Sequence, residues 1–227
     1  LTVNVAPSFN TAPAAQSICA GSPVTFTASA SGSPAPTLQW RKDGINIGGA
    51  TGTSYTIPAV NAGNQGTYDC VATNSCSSVP SSGALLTVTD VPQISLQPSI
   101  QAVCEGAPFS FSVAATTTVT YQWRKNTVNI GGATGPTLNG TAAVGDAGSY
   151  DCVLTNSCGS TTSNAVALTV DEGPSITTQP VGSTVNSGSP ASLSVAASGT
   201  APISFQWRRN TSNLSNIAPY SGADSAN

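Results

Sequence analysis

The chain has 227 residues, enough for one large domain or for two to three small ones. Only 7% of its residues are charged, with six Lys+Arg, nine Asp+Glu, no His and a net charge of −3. This balance excludes a basic surface for nucleic acid and a polybasic patch for anionic lipid. The 39% of hydrophobic residues never form a run of 18, so no membrane insertion is expected in this segment.

Cysteine usage points to an oxidising compartment. The chain has six cysteines but no histidine and no paired C-x-x-C motif, which favours disulfides over a zinc site. We therefore expect a secreted or cell-surface protein. The chain opens on Leu1 and contains no Met, which is typical of a mature or internal segment without a signal peptide.

Self-similarity predicts the domain organisation. Trp40, Trp123 and Trp207 each stand in a Gln-Trp-Arg motif, at spacings of 83 and 84 residues. A Leu-Thr-Val motif occurs at 1–3, 86–88 and 168–170. The spacing predicts the tail of one domain at 1–4, complete domains at 5–90 and 91–171, and the first half of a third at 172–227. Because that half lacks its closing strands, we expect the chain to be a piece of a longer protein.

The apolar residues alternate with a period of two. In chain order, Val24 and Phe26 alternate with threonines, Trp40 with Gln39 and Arg41, and Tyr68 and Cys70 with Asp69 and Val71. Clusters of Gly, Pro, Asn and Ser interrupt these segments every 8–12 residues, and no segment keeps a helical period for three turns. The pattern predicts an all-β fold.

These motifs resemble those of an immunoglobulin domain. Trp123 is followed after about 30 residues by Asp-Ala-Gly-Ser-Tyr-Asp-Cys at 146–152, and Trp40 by the related segment that ends at Cys70. The resemblance implies tandem I-set-like β-sandwiches of about seven strands each. It places the three tryptophans in the cores and identifies Tyr68 and Tyr150 with the tyrosine corner. The Ser/Thr/Asn-rich repeats are similar to those of bacterial secreted and cell-surface proteins, with adhesion, stalk or fibre roles.

One feature of the family is missing. Its second cysteine, on the strand before the tryptophan, would fall near Ala28, Val113 and Val195, and none of these is cysteine. The usual disulfide between the two sheets is therefore not expected. Cys70 and Cys152 are predicted to be buried core thiols beside the tryptophans.

The other cysteines are predicted to link neighbouring domains. Cys19 and Cys76 belong to turns at opposite ends of one sandwich, roughly 25 Å apart at the rise of a strand. A disulfide needs Cα atoms within about 7 Å. We therefore predict that Cys19 joins Cys158, and that Cys76 and Cys104 pair with domains beyond this segment. If the first strand bends inward, Cys19–Cys70 is the alternative.

All six basic residues come directly after a tryptophan. If Trp40 faces its cysteine across the sheet, Arg41 lies opposite Asp69, and Arg124 likewise lies opposite Asp151. We predict that both are cross-strand ion pairs on the outer face, which fix the register. The alternative is a ladder of anion-binding sites along the repeats.

Catalytic and metal sites are not predicted. Without His there is no Ser-His-Asp arrangement, and the sparse carboxylates lack a glycosidase spacing, so we expect no enzyme and no cofactor. The Gly-Gly-Ala-Thr-Gly stretches at 48–52 and 131–135 lack the Lys-Ser/Thr of a phosphate loop and are predicted as turns. Calcium could bind at Asp90, Asp171 and Glu172, but such carboxylates are more often simply solvated. Asn139, Asn210 and Asn213 begin glycosylation triplets, which we interpret as chance matches in a chain rich in Asn and Thr.

Three hypotheses for function follow. The first is an extracellular structural array, a stalk or filament, whose partners are neighbouring domains of the same longer chain and copies of itself in a fibre. Its short linkers at 89–92 and 171–174 each contain a proline that limits bending. The second is a glycan- or protein-binding module, with residues 213–226 and Tyr220 as the candidate surface. The third is an accessory region of a secreted hydrolase.

Overall fold

A computed structural model describes residues 3–217, 220–222 and 224–225. Within these ranges the ordered elements are short β-strands and two 3-10 helices, Ala62–Asn64 and Val144–Asp146. No helix in the described part of the chain is long and apolar enough to cross a bilayer. The all-β prediction is therefore confirmed.

The chain divides into two compact units. The first contains residues 1–95, 114–121 and 153–162, which are the whole first repeat and two segments of the second. The other unit contains residues 96–113, 122–152 and 163–227.

The first repeat contains ten strand segments. They are β1 Val5–Thr11, β2 Gln16–Cys19, β3 Val24–Thr27, β4 Ser29–Ser33, β5 Thr37–Lys42, β6 Ile45–Asn46, β7 Ser54–Ile57, β8 Gly66–Thr73, β9 Ser78–Pro80 and β10 Ala84–Thr89. Counting β1 with β2, β3 with β4, and β9 with β10 as interrupted single strands leaves seven.

The second repeat follows the same plan. Its strands are β11 Ile94–Leu96, β12 Gln101–Cys104, β13 Pro108–Ser112, β14 Ala114–Ala115, β15 Thr120–Lys125, β16 Val128–Asn129, β17 Thr137–Thr141, β18 Gly148–Asn156, β19 Gly159–Thr162 and β20 Val166–Asp171. In the third repeat the described strands are β21 Ser175–Thr178, β22 Ala196–Ser198, β23 Arg208–Arg209 and β24 Ser212–Asn213.

Each complete repeat has one large sheet and two small ones. In the first, the large sheet has the order β2-β10-β8-β5-β6 with β9 on β8, while β1 pairs with β4 and β3 with β7. The second repeats this arrangement as β12-β20-β18-β15-β16, with β19 on β18, and with the pairs β11-β14 and β13-β17.

The second strand of each repeat runs parallel to the last one. Along β2 and β10, Gln16 is opposite Leu86 and Cys19 is opposite Thr89. In the second repeat, Cys104 at the end of β12 is opposite Asp171 at the end of β20. This parallel pairing places both cysteines at the end of the sandwich where the chain leaves it.

Aromatic side chains fill the first core. Trp40 and Cys70 are fully buried, and Phe26 stacks on Tyr68 with ring centroids 4.8 Å apart. The indole Nε1 of Trp40 donates to the carbonyl of Gly52 at 2.9 Å, so its one polar atom is satisfied. Gly52 ends the predicted glycine-rich turn, which therefore supports the core.

The second core is built alike. Trp123 and Cys152 are fully buried, and the Phe111 and Tyr150 rings lie 5.1 Å apart. The indole of Trp123 donates to the carbonyl of Gly135 at 3.0 Å. Trp207 is only partly buried, and its indole donates to the carbonyl of Ser225 at 2.9 Å.

The turn after the tryptophan strand needs left-handed backbone. Asp43 and Gly44 connect β5 to β6 with φ values of 51° and 79°, which fits a two-residue hairpin turn. Asp43 also accepts a hydrogen bond from the backbone N–H of Thr67 at 2.8 Å. In the second repeat Asn126 takes this place and accepts from Ser149 at 3.0 Å.

The tyrosine corner makes a testable contribution. The Tyr68 hydroxyl donates to the carbonyl of Asn64 at 2.8 Å and that of Tyr150 to Asp146 at 2.7 Å. Tyr68→Phe and Tyr150→Phe should each lower the free energy of unfolding by about 1 kcal/mol, because a partly buried hydrogen bond to a carbonyl is lost. Urea unfolding measures this, with Tyr121→Phe as the control. Unchanged midpoints in both corner variants would contradict it.

Candidate functional site

A disulfide joins the first repeat to the second. The Cys19 and Cys158 sulfurs are bonded, and their Cα atoms lie 5.4 Å apart. Both residues belong to the first compact unit and are partly buried. Cys19 ends β2, whereas Cys158 lies in the turn between β18 and β19. The bond therefore links the exit end of one sandwich to a turn of the next.

An asparagine holds the Cys158 turn against the linker. Asn156 donates from Nδ2 to the carbonyl of Asp90 at 2.8 Å, and its Oδ1 accepts from the backbone N–H of Cys158 at 2.8 Å. Thr161 also donates to the carbonyl of Pro92. The turn is thus fixed to the linker on both sides of its cysteine.

A glycine makes this close approach possible. Gly159 has a φ of 146°, and a Cβ atom placed on it would lie 3.2 Å from Cγ1 of Val91. A larger residue would be strained by its backbone and would push against the linker. Gly159 therefore lets the turn and the linker lie side by side.

Within the described part of the chain, the other four cysteines are not disulfide-bonded. Cys76 and Cys104 are exposed, and their pairing with further domains stays a prediction. Cys70 and Cys152 are buried, and Ala28 and Val113 are also buried where the family would have the second core cysteine. Burial raises the pKa of the Cys70 thiol and raises that of Cys152 to about 11. Both thiols are therefore neutral and poorly reactive near pH 7.

Two ion pairs cross the large sheets. Arg41 is opposite Asp69 in the register, and its Nε donates to Oδ1 at 2.9 Å while Nη2 bonds Oδ2. Arg124 binds Asp151 in the same two-pronged way, at 2.7 and 2.8 Å. These hydrogen bonds raise the pKa of both guanidinium groups. Two N–H groups of each guanidinium are thus directed at a carboxylate across the sheet.

Side chains of the repeated Gln-Trp-Arg motif have a role that the sequence analysis did not assign. Gln39 donates to the carbonyl of Ile47 at 2.7 Å, Gln122 to that of Ile130 at 2.9 Å, and Gln206 to that of Leu214 at 2.8 Å. The amide thus fixes the loop that follows the hairpin turn in every repeat. The glutamine recurs directly before each tryptophan, and this repetition in the sequence indicates a structural role.

The candidate metal and glycosylation residues lie mostly at the surface. Asp90 and Glu172 are exposed and Asp171 is partly buried. Among the described residues, no three or more His, Cys, Asp or Glu side chains are grouped so as to hold a metal ion. The three glycosylation triplets have exposed asparagines, and that of Asn139 accepts a hydrogen bond from Ser110 at 2.6 Å.

The third repeat contains the candidate binding surface. Tyr220 is 38% exposed, and its hydroxyl accepts from Nη1 of Arg209 at 3.0 Å. A cavity of about 560 Å³ is lined by Tyr220, Trp207 and Leu214 among others. Trp207 and Leu214 in its walls are only partly buried.

Solved structures share this fold. The chain aligns with the I-band fragment I67–I69 of titin at a TM-score of 0.75 and 22% identity, over 92% of this chain and 81% of that one. Four N-terminal immunoglobulin domains of Dscam1 align at 0.52 and 24% identity, over 75% of this chain and 47% of that one. The fold is that of tandem immunoglobulin domains. Residues 6–74 also match the family model described as immunoglobulin domain.

Curated relatives of these immunoglobulin-like domains include animal and bacterial proteins. Mouse cell adhesion molecule DSCAML1 is 29% identical over 85% of the chain, and human hemicentin-1 is 30% identical over 95%. Endoglucanase C of the bacterium Cellulomonas fimi is 32% identical over 74% of the chain. The chain spans only 10%, 4% and 16% of the lengths of these three proteins.

The Arg41–Asp69 pair should contribute a small coupling energy to the immunoglobulin-like domain. A double-mutant cycle of Arg41→Ala and Asp69→Ala should give about 0.5–1 kcal/mol, falling in 1 M salt, because the two side chains are 26% and 17% exposed. Lys42→Ala with Asp69→Ala is the control, since Lys42 donates to the carbonyl of Gly63 instead. Equal coupling in both cycles would refute a specific pair.

The Cys152 thiol should make stability fall in alkali. An unfolded thiol loses its proton near pH 9, whereas burial keeps folded Cys152 protonated up to about 11. Unfolding therefore releases a proton between these values, and the free energy of unfolding falls as pH rises from 9 to 11. Cys152→Ala should remove about 2 kcal/mol of that fall in urea titrations. Cys104→Ala should keep it, and a loss in both variants would contradict the assignment.

Proposed function

We propose that the chain is part of an extracellular structural array, a stalk or filament of immunoglobulin-like domains in a cell-surface or secreted protein. The observation that carries the proposal is the Cys19–Cys158 disulfide across the linker. A binding domain needs a stable core, but it does not need a covalent bond to its neighbour. Such a bond suits a protein whose neighbouring domains have to stay in contact when the chain is under tension.

The disulfide and the composition support an extracellular location. Disulfides persist in oxidising compartments and are rare where glutathione keeps thiols reduced. Relatives named as cell adhesion molecules fit the same location and favour an adhesive role for the array. Its partners would be neighbouring domains of the longer chain and copies of itself in a fibre.

An accessory region of a secreted hydrolase is the second candidate. The similarity to endoglucanase C over 74% of the chain favours it, and that match covers 16% of the bacterial protein. In this case the domains would space a catalytic region from other parts of the enzyme. This second proposal also implies that the repeats come from a bacterial protein.

Electron microscopy of the native protein tests the proposal. Negative-stain images of material from its source should show extended strings of beads, single for a stalk and laterally joined for a filament. The control is the same material after reduction with dithiothreitol. A compact particle with hydrolase activity in the same fractions would favour the accessory role instead.

Force spectroscopy gives a quantitative prediction. If the chain is pulled from its ends, the covalent path runs through the disulfide and bypasses the 138 residues between the two cysteines, whose sequence separation is 139. Reduction should therefore release about 470 Å of hidden length, at about 3.4 Å per extended residue. A Cys19→Ser, Cys158→Ser double variant should show this length without reductant. Release of this length from the oxidised wild type would show that the force does not pass through the disulfide.

A further inference from the structure

The two exposed free cysteines occupy the same places as the two bonded ones. Cys104 ends β12 as Cys19 ends β2, and each precedes a glycine with a φ near 80°. Backbone bonds repeat as well, since the N–H of Gly21 donates to the carbonyl of Val60 at 2.7 Å and that of Gly106 to Ala142 at 2.8 Å. Cys104 is therefore presented at the exit end of its sandwich, as Cys19 is.

Cys76 repeats the setting of Cys158. The backbone N–H of Cys76 donates to Oδ1 of Asn74 at 2.9 Å, and Asn74 donates from Nδ2 to the carbonyl of Val5 at 2.8 Å. These bonds correspond to those of Asn156 with Cys158 and Asp90. The turn that carries Cys76 is therefore fixed to the segment that enters the first sandwich.

We infer that Cys76 and Cys104 are the halves of two further interdomain disulfides. Cys104 bonds a cysteine in the last-hairpin turn of the third repeat, the place that Cys76 and Cys158 occupy. Cys76 bonds a cysteine at the end of the second strand of a preceding repeat, the place of Cys19. The bonded pair Cys19–Cys158 supplies the geometry for both, because each partner is held in the same local structure.

The series ends at the third repeat. Asn186 stands where the first two repeats have Cys19 and Cys104, and the turn after it is the same. Gly188 has a φ of 83°, and the N–H of Ser189 donates to the carbonyl of Asn186 at 3.0 Å. The third repeat therefore has no cysteine at this position to bond a further domain, although its last-hairpin turn could still bond Cys104.

Each bond forms by exchange with an oxidised disulfide carrier of the secretory compartment. The Cys104 thiolate attacks the carrier disulfide and forms a mixed disulfide, and the second thiolate then displaces the carrier sulfur. The carrier leaves as a dithiol, having taken up the two electrons and two protons that the two protein thiols lose. Cys104 and Cys76 are exposed, so both are accessible to such a carrier.

Peptide mapping of the native full-length protein tests the inference. The protein is alkylated with N-ethylmaleimide on extraction and is digested unreduced with a protease that cuts after Asp and Glu. Trypsin is unsuitable, because no Lys or Arg lies between Lys42 and Arg124. Cleavage after Asp69, Asp90 and Glu105 places Cys104 alone in peptide 91–105 and Cys76 together with Cys70 in peptide 70–90, where fragment spectra show which of the two is linked.

The expected result is peptide 91–105 linked to a peptide from beyond residue 227, and peptide 70–90 linked to a peptide from before residue 1. The link between Cys19 and Cys158 is the internal control. Cys76 and Cys104 fully alkylated, or bonded to each other between two chains, would overturn the inference.

A variant gives a second measurement on the full chain. Cys104→Ser should expose one newly alkylated cysteine, in the third repeat, whereas Cys152→Ala should expose none. No new labelled thiol in the first variant would also overturn the inference. The inference does not require the stalk role. If peptide mapping finds both bonds but microscopy shows compact particles, only the proposed function is rejected.

Discussion

Burial of one tryptophan between two sheets is the constraint on which each complete repeat depends. Trp40 and Trp123 are fully buried, so their indole N–H groups need internal partners. The carbonyls of Gly52 and Gly135 supply them, which ties the loop after the tryptophan strand to the core. The glutamine before each tryptophan fixes the other side of that loop. Replacing the tryptophan or the glutamine would remove one of these hydrogen bonds and loosen the loop.

The covalent constraint of this chain lies at a linker instead of within a core. Ala28 and Val113 replace a core cysteine, and the remaining core thiols of Cys70 and Cys152 stay neutral because burial raises each pKa. Each complete sandwich is therefore stabilised by packing, hydrogen bonds and an ion pair, with no disulfide between its described residues. The disulfide acts on the junction, where Asn156 and Gly159 already hold a turn against the linker. The interactions that stabilise each domain are thus different from those that hold the turn and the linker together.

Much of the fold could be predicted from the sequence, because period-two alternation and the repeated Trp and Tyr-Asp-Cys motifs are local signals. The all-β sandwich class is confirmed on that basis. The parallel pairing of β2 with β10 could not be predicted, since it depends on residues 16–19 and 86–89 meeting across the fold. The hydrogen bonds of Asn74 to the carbonyl of Val5 and of Asn156 to the carbonyl of Asp90 could not be predicted either. Their Asn-Ser-Cys motif was visible, but a hydrogen bond to a distant backbone carbonyl leaves no periodic signature.

The position of the disulfide also changes what a proteolytic cut would do. The linker residues Asp90 and Val91 are exposed, which is typical of a nicking site. A cut there leaves the Cys19 and Cys158 pieces joined through sulfur. The same holds for any single cut among the 138 residues between them, because their sequence separation is 139. Separation of the first repeat from the second would therefore require both hydrolysis of the backbone and reduction of the bond.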